Sequence, residues 1–180
     1  MPEEPEGEEA VIELVRSIVA GSDTIGVPAE LLEDPKEATP PPPRSLYAQI
    51  LTMGIPEKLK LALRGNKDAR NILIRDASKM IRRFVMQNPR ISDAEVIAVA
   101  RNRSSDEELL RIVVDKREWM RNYQVRLALA TNPKTPLTVA LKQLPTLGER
   151  DLRMLAKSRN VPQTVVAQAR RLLLATGRQA

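Results

Sequence analysis

Apolar residues recur at helical spacing in short runs that stop and restart along the chain. The first stripe is Val11, Ile12, Leu14, Val15, Ile18 and Val19, closed by Gly21, and it predicts an amphipathic helix over about 9–20. Further on, the same period predicts helices near 45–53, 56–64, 67–76, 79–87, 93–102, 106–119, 122–131, 136–144, 149–158 and 162–176. The β-branched residues follow the helical period rather than alternating, so no strand is predicted. Connections of two to five residues make consecutive helices antiparallel neighbours.

Polar and breaking residues punctuate the runs. Pro56, Pro89, Pro133, Pro136, Pro145 and Pro162 all fall at inferred boundaries and none inside an apolar run. Gly65 reads as a left-handed helix stop. Ser92-Asp93-Ala94-Glu95, Ser105-Asp106-Glu107-Glu108 and Thr146-Leu147-Gly148-Glu149 have the form of capping boxes, and Thr135-Pro136 that of an N-cap followed by a first-turn proline. One phrase recurs: Phe84-Val85-Met86-Gln87-Asn88-Pro89, then Leu129-Ala130-Thr131-Asn132-Pro133, then more loosely Leu155-Ala156-Lys157-Ser158-Arg159-Asn160-Val161-Pro162. Its Asn suits a left-handed helix end, which the following Pro keeps from continuing. The intervals between the three Asn residues are 44 and 28 residues, so the repeats are degenerate.

The phrase Leu129 to Leu141 resembles the leucine-rich repeat variant and HEAT-like class of α-solenoids, in which an "LA-x-N-P-x-T-P" turn precedes a short helix carrying Val and Leu. Asn160 to Val165 lacks the first Pro of that pattern, and Phe84 to Glu95 has Ser92-Asp93 in place of Thr-Pro. The resemblance covers roughly residues 55–176. It implies an all-α fold of short antiparallel helices stacked as a HEAT-like solenoid, and an association with protein-binding scaffolds. A compact helical bundle is the alternative architecture.

Charge changes this picture at one point. Residues 1–43 hold 11 acidic and 2 basic residues, a net charge of −9, whereas 44–180 hold 12 acidic and 27 basic residues, a net charge of +15. Eight of the 14 prolines lie in 1–43, four of them in the run Pro40 to Pro43, which reads as a stiff spacer. The expected organisation is therefore a flexible acidic arm over 1–43, carrying one helix, and a basic helical-repeat domain over 44–180. A helix as short as that of the arm needs a surface to lie on: its own domain, a second copy of the chain in a homo-oligomer, or another protein.

The chain has no His and no Cys, which leaves no imidazole base, thiol nucleophile or thiolate metal site. Its glycines are scattered and form no phosphate-cradling loop. The expectation is a non-enzymatic protein with no cofactor and no bound metal. No secretory signal and no run approaching the ~18 apolar residues of a membrane span is present, so the reading is a cytoplasmic protein with no membrane partner.

The remaining chemistry is cationic. Arg82, Arg83, Arg101, Arg103, Lys116, Arg117, Arg121, Lys157 and Arg159 recur near helix ends, and stacked repeats would bring such positions into a ridge. Trp119 and Tyr123 sit among them as candidate aromatic anchors. An Arg-rich ridge suits an acidic protein or peptide, and in the alternative a nucleic-acid backbone. The plainer reading of these cations is a solvated face that complements helix C-termini. The arm is expected to fold over the basic face and compete with its partner.

Overall fold

Short apolar runs separated by caps and prolines can form only short helices, and the fold consists of these. A computed structural model of the chain describes residues 7–32 and 44–176. Among the described residues there are twelve α-helices and no strand. The chain divides into two compact units, Met1–Ile91 and Ser92–Ala180. Glu3, Glu4 and Glu6 and the Pro40–Pro43 spacer lie outside the described residues.

The first unit holds α1 (Glu8–Ala20), a 3-10 turn at Ala29–Leu31, α2 (Arg44–Thr52), α3 (Ile55–Arg64), α4 (Lys67–Leu73) and α5 (Lys79–Val85). Gly21 ends α1 in the left-handed conformation, with φ 73°. α1 packs on α3 through Val11, Leu14, Val15 and Ile18, while Ile12 and Val19 of its stripe are exposed, and Ile18 and Leu31 are fully buried in one core with Ile50, Leu59, Leu73 and Ile81. Each such side chain stabilises the unit by about 1.5–3 kcal/mol. Polar contacts follow the apolar ones. Lys60 Nζ donates to Asp23 Oδ1 and to the Ile25 carbonyl, both at 2.6 Å. Asn66 Nδ2 donates to the Glu30 carbonyl at 2.7 Å, and Arg90 Nη1 to that of Leu32 at 2.8 Å. The described part of the acidic segment thus docks on its own chain, against Lys60, Asn66 and Arg90.

The second unit holds α6 (Asp93–Arg101), α7 (Glu107–Asp115), α8 (Arg117–Arg121), α9 (Tyr123–Thr131), α10 (Leu137–Gln143), α11 (Glu149–Ala156) and α12 (Gln163–Thr176). The single helix expected over 106–119 is two helices, because Lys116 is extended at φ −87°, ψ 104°. Leu152, Leu155, Val161, Val165 and Ala169 form the core where α11 packs on α12.

Helices of like position lie side by side and run the same way. Near their starts, Asn122 Nδ2 ahead of α9 donates to Asp93 Oδ2 of α6 at 3.0 Å. At their ends, Asn132 Nδ2 donates to the carbonyls of Ala100 at 2.7 Å and Asn102 at 3.0 Å. α3 and α5 repeat the arrangement: Lys58 pairs with Asp76 at 3.0 Å near the starts, and Asn88 Nδ2 donates to the Ala62 carbonyl at 2.9 Å at the ends.

Several local expectations are corrected. No described residue other than glycine has positive φ, so the Asn residues are not left-handed stops. Asn132 sits at φ −83°, ψ 120°; its Oδ1 accepts from the Lys134 N–H and its Nδ2 ties two helix ends together. Gly65 is also extended, at φ −62°; a Cβ there would lie 2.3 Å from the Leu61 carbonyl oxygen, which is why the residue is glycine. The Ser92–Glu95 capping box forms as expected. That at Ser105 does not: Ser105 Oγ donates to the Val99 carbonyl at 2.7 Å, and Asp106 is the N-cap. Thr146 Oγ1 likewise donates backward, to the Gln143 carbonyl at 2.7 Å, and Gly148 precedes α11.

Candidate functional site

The cations expected to act fall into distinct environments once each is traced to its partners. Arg82 and Arg83 belong to the first unit. Arg82 Nη1 donates to the Asp76 and Ala77 carbonyls and so fastens the turn ahead of its own helix, while Arg83 is exposed. The other nine expected site residues belong to the second unit. Arg101 Nη2 donates to Gln124 Oε1 at 2.7 Å. Lys116 lies over the Trp119 ring, 4.3 Å from its centre, and Trp119 itself is 6% exposed. Trp119 therefore fills the interior and presents no free ring. Arg117 and Arg121 are exposed.

Tyr123 is also committed. Its hydroxyl donates to Asp151 Oδ2 and accepts the Gly148 N–H at 3.0 Å, which joins the start of α9 to that of α11. The hydrogen bond to the Asp151 carboxylate, which favours the protonated phenol, holds its pKa above the ordinary 10.0 even though the Gly148 N–H acts the other way.

Three of the expected residues come together. Arg103, Lys157 and Arg159 line one open depression of about 480 Å³, with Thr131, Met154, Leu155, Ser158 and Asn160. It lies at the C-terminal ends of α9 and α11 and at the turn that follows α6. No acidic side chain lines it. The three cations are exposed, and among the described residues none is in an ion pair or a side-chain hydrogen bond.

Their placement follows from the turns. Asn102 Oδ1 accepts the Ser104 N–H at 2.9 Å, as Asn88 does from Arg90 and Asn132 from Lys134. Ser158 Oγ accepts the Asn160 N–H at 3.2 Å. The residues of like position are therefore Asn88, Asn102, Asn132 and Ser158, not Asn160. Two of these turns carry Arg in the next position, Arg103 and Arg159, where the other two carry Pro89 and Pro133. The recurring phrase misses the Asn102 copy, which has no Pro, and places the third copy on Asn160 instead of Ser158; the signal is the shared Ala-x-[Asn/Ser]-Arg of 100–103 and 156–159.

A cation at a helix end ordinarily serves the unpaired carbonyls there. Here other donors serve them. The Ala100 and Asn102 carbonyls are taken by Asn132, that of Val99 by Ser105, and that of Ala156 by Arg170 Nε at 3.0 Å. Arg103, Lys157 and Arg159 remain available to an external anion.

Net charge is distributed in the same sense. Residues 1–91 hold 13 basic and 14 acidic residues, a net charge of −1, whereas 92–180 hold 16 basic and 9 acidic residues, a net charge of +7. Among the described residues no helix is long and apolar enough to cross a membrane. No family model, characterised protein or solved structure matches the chain.

Proposed function

We propose that the chain is a non-enzymatic helical-repeat scaffold that binds an acidic protein or peptide through the second unit. The observation that carries this reading is the convergence of Arg103, Lys157 and Arg159 on one depression without an acidic neighbour. Guanidinium groups pair carboxylates in two-point fashion, and an uncompensated charge of +7 on residues 92–180 raises the encounter rate with an acidic surface. The HEAT-like solenoid reading is supported by the two asparagine links, Asn88 to Ala62 and Asn132 to Ala100, which join the ends of neighbouring helices of like direction. The arm acts as a built-in part of the first unit in this account, since Ile18 and Leu31 are buried there.

Fluorescence anisotropy with the full chain tests the reading. A labelled Glu/Asp-rich peptide should bind at about 50 mM salt and weaken as salt rises, because exposed charges are screened within about 10 Å at 0.1 M. Duplex and single-stranded DNA of similar charge serve as competitors. Absence of peptide binding, or tighter binding of either nucleic acid, would overturn it.

A further inference from the structure

We propose that the depression lined by Arg103, Lys157 and Arg159 receives a phosphorylated serine or threonine side chain of a peptide partner. This rests on the reading of the second unit as an acidic-peptide binder and specifies the anion it takes. Three cations around one depression exceed what a single carboxylate neutralises. A phosphoryl group brings a charge of about −1.5 to −2 and three acceptor oxygens, which matches three cationic donors. Two of the three are Arg, whose planar forks hold phosphate oxygens in pairs.

The surroundings add donors and a place for carbon. Ser158 Oγ already accepts the Asn160 N–H, so its own proton is free to be donated outward. The exposed Asn160 amide is a further donor at the rim. Leu155 is 1% exposed and forms the apolar base, while Met154, at 50%, offers a flexible apolar contact to a neighbouring peptide residue. At about 480 Å³ the depression has room for a phosphorylated side chain together with such a neighbour.

The same features disfavour a nucleic acid. Single strands are held by bases stacked on exposed aromatic rings. The second unit has two aromatic residues, of which Trp119 is buried under Lys116 and Tyr123 is tied to Asp151 and Gly148.

The test uses the full chain and two fluorescein-labelled ten-residue peptides of Gly, Ala and Leu, one with a single phosphoserine and one with a charge-matched Glu-Glu pair. At pH 7.5 and about 50 mM salt, the phosphopeptide should bind at least tenfold more tightly. Its advantage should shrink below about pH 6, where the phosphate dianion takes up a proton and becomes a monoanion. In the triple variant R103Q/K157Q/R159Q the advantage should vanish, with no change in the melting curve, because the three side chains are exposed. On the unaltered protein, amide shifts caused by the phosphopeptide should centre on Ser104 and on Ser158–Asn160. Equal affinity for the two peptides, or shifts elsewhere, would overturn the phosphate assignment while leaving the acidic-peptide reading intact. Binding of neither peptide would overturn both. Displacement by a single-stranded RNA ten-mer at lower concentration than the phosphopeptide would assign the depression to nucleic acid instead.

Discussion

Asn132 donates through Nδ2 to the carbonyl of Ala100 at 2.7 Å, and with that bond the end of α9 is fastened to the end of α6. The side chain is 3% exposed, so both partners would be buried and unpaired if the bond were lost. Asn132→Ala should therefore destabilise the second unit by about 1–3 kcal/mol. Asn132→Asp should cost at least as much, since a carboxylate cannot donate to the Ala100 and Asn102 carbonyls. Urea denaturation of the two variants measures this; a change below about 0.5 kcal/mol in both would refute the fastening role.

Asn88 holds the corresponding position in the first unit, bonded to Ala62 and 1% exposed. Asn88→Ala should carry a penalty of the same size, about 1–3 kcal/mol. Hydrogen exchange should show faster opening of α5 and of the end of α3, and unchanged exchange there would contradict it.

Ile18 of the acidic segment is fully buried beside Leu59 in the first-unit core. Ile18→Ala should cost about 2–5 kcal/mol. The expectation that removing residues 1–43 frees a masked basic face changes accordingly: truncation should lower the melting temperature of the first unit. A truncated chain that melts as the full chain does would show that the docking of α1 is dispensable.

Asp23 and Lys60 predict an acid-side dependence. Burial pushes the Asp23 carboxyl up, but the Lys60 ammonium and the Ile25 N–H together hold it below its ordinary 3.8. A carboxylate with a depressed folded pKa contributes stability that is complete above its unfolded value, near 4, and is lost as pH falls through the lower folded value. Asp23→Asn should reduce stability at pH 7 and flatten the dependence below about pH 4. Stability measured by urea midpoint against pH checks this, and an unchanged acid limb in the variant would rule the pair out as its source.

Tyr123→Phe should leave Asp151 and the Gly148 N–H without their shared partner, at a cost of about 1–2 kcal/mol. In the unaltered protein the phenol should titrate above 10.0, which ultraviolet absorbance would follow. Titration below that value would contradict the bond to Asp151.

Much of the helix pattern is legible because it depends on local periodicity and on prolines that cannot occupy a helix interior. α9 and α11, for example, begin and end within two residues of the positions that pattern predicts. Tertiary roles are less legible. Asn132 looks like a local stop in one dimension, yet its side chain acts across 32 positions on Ala100. Ser105 and Thr146 have the sequence of N-caps but turn back to donate to the carbonyls of Val99 and Gln143 behind them. The charge split is legible as a contrast between 1–43 and 44–180, but not the contact inside the first unit, where Asp23 of the acidic segment pairs with Lys60 of α3. Arg103, Lys157 and Arg159 stand apart because they line one depression, and that depends on bringing together residues far apart in the sequence.

The most direct test of the central claim compares two variants that remove the same charge from the second unit. R103Q/K157Q/R159Q strips the depression, whereas R101Q/R117Q/R121Q strips exposed cations that do not line it. Affinity for a labelled acidic peptide at about 50 mM salt should fall at least tenfold in the first and no more than about threefold in the second. Equal losses in both would mean that diffuse charge, not this depression, binds the partner.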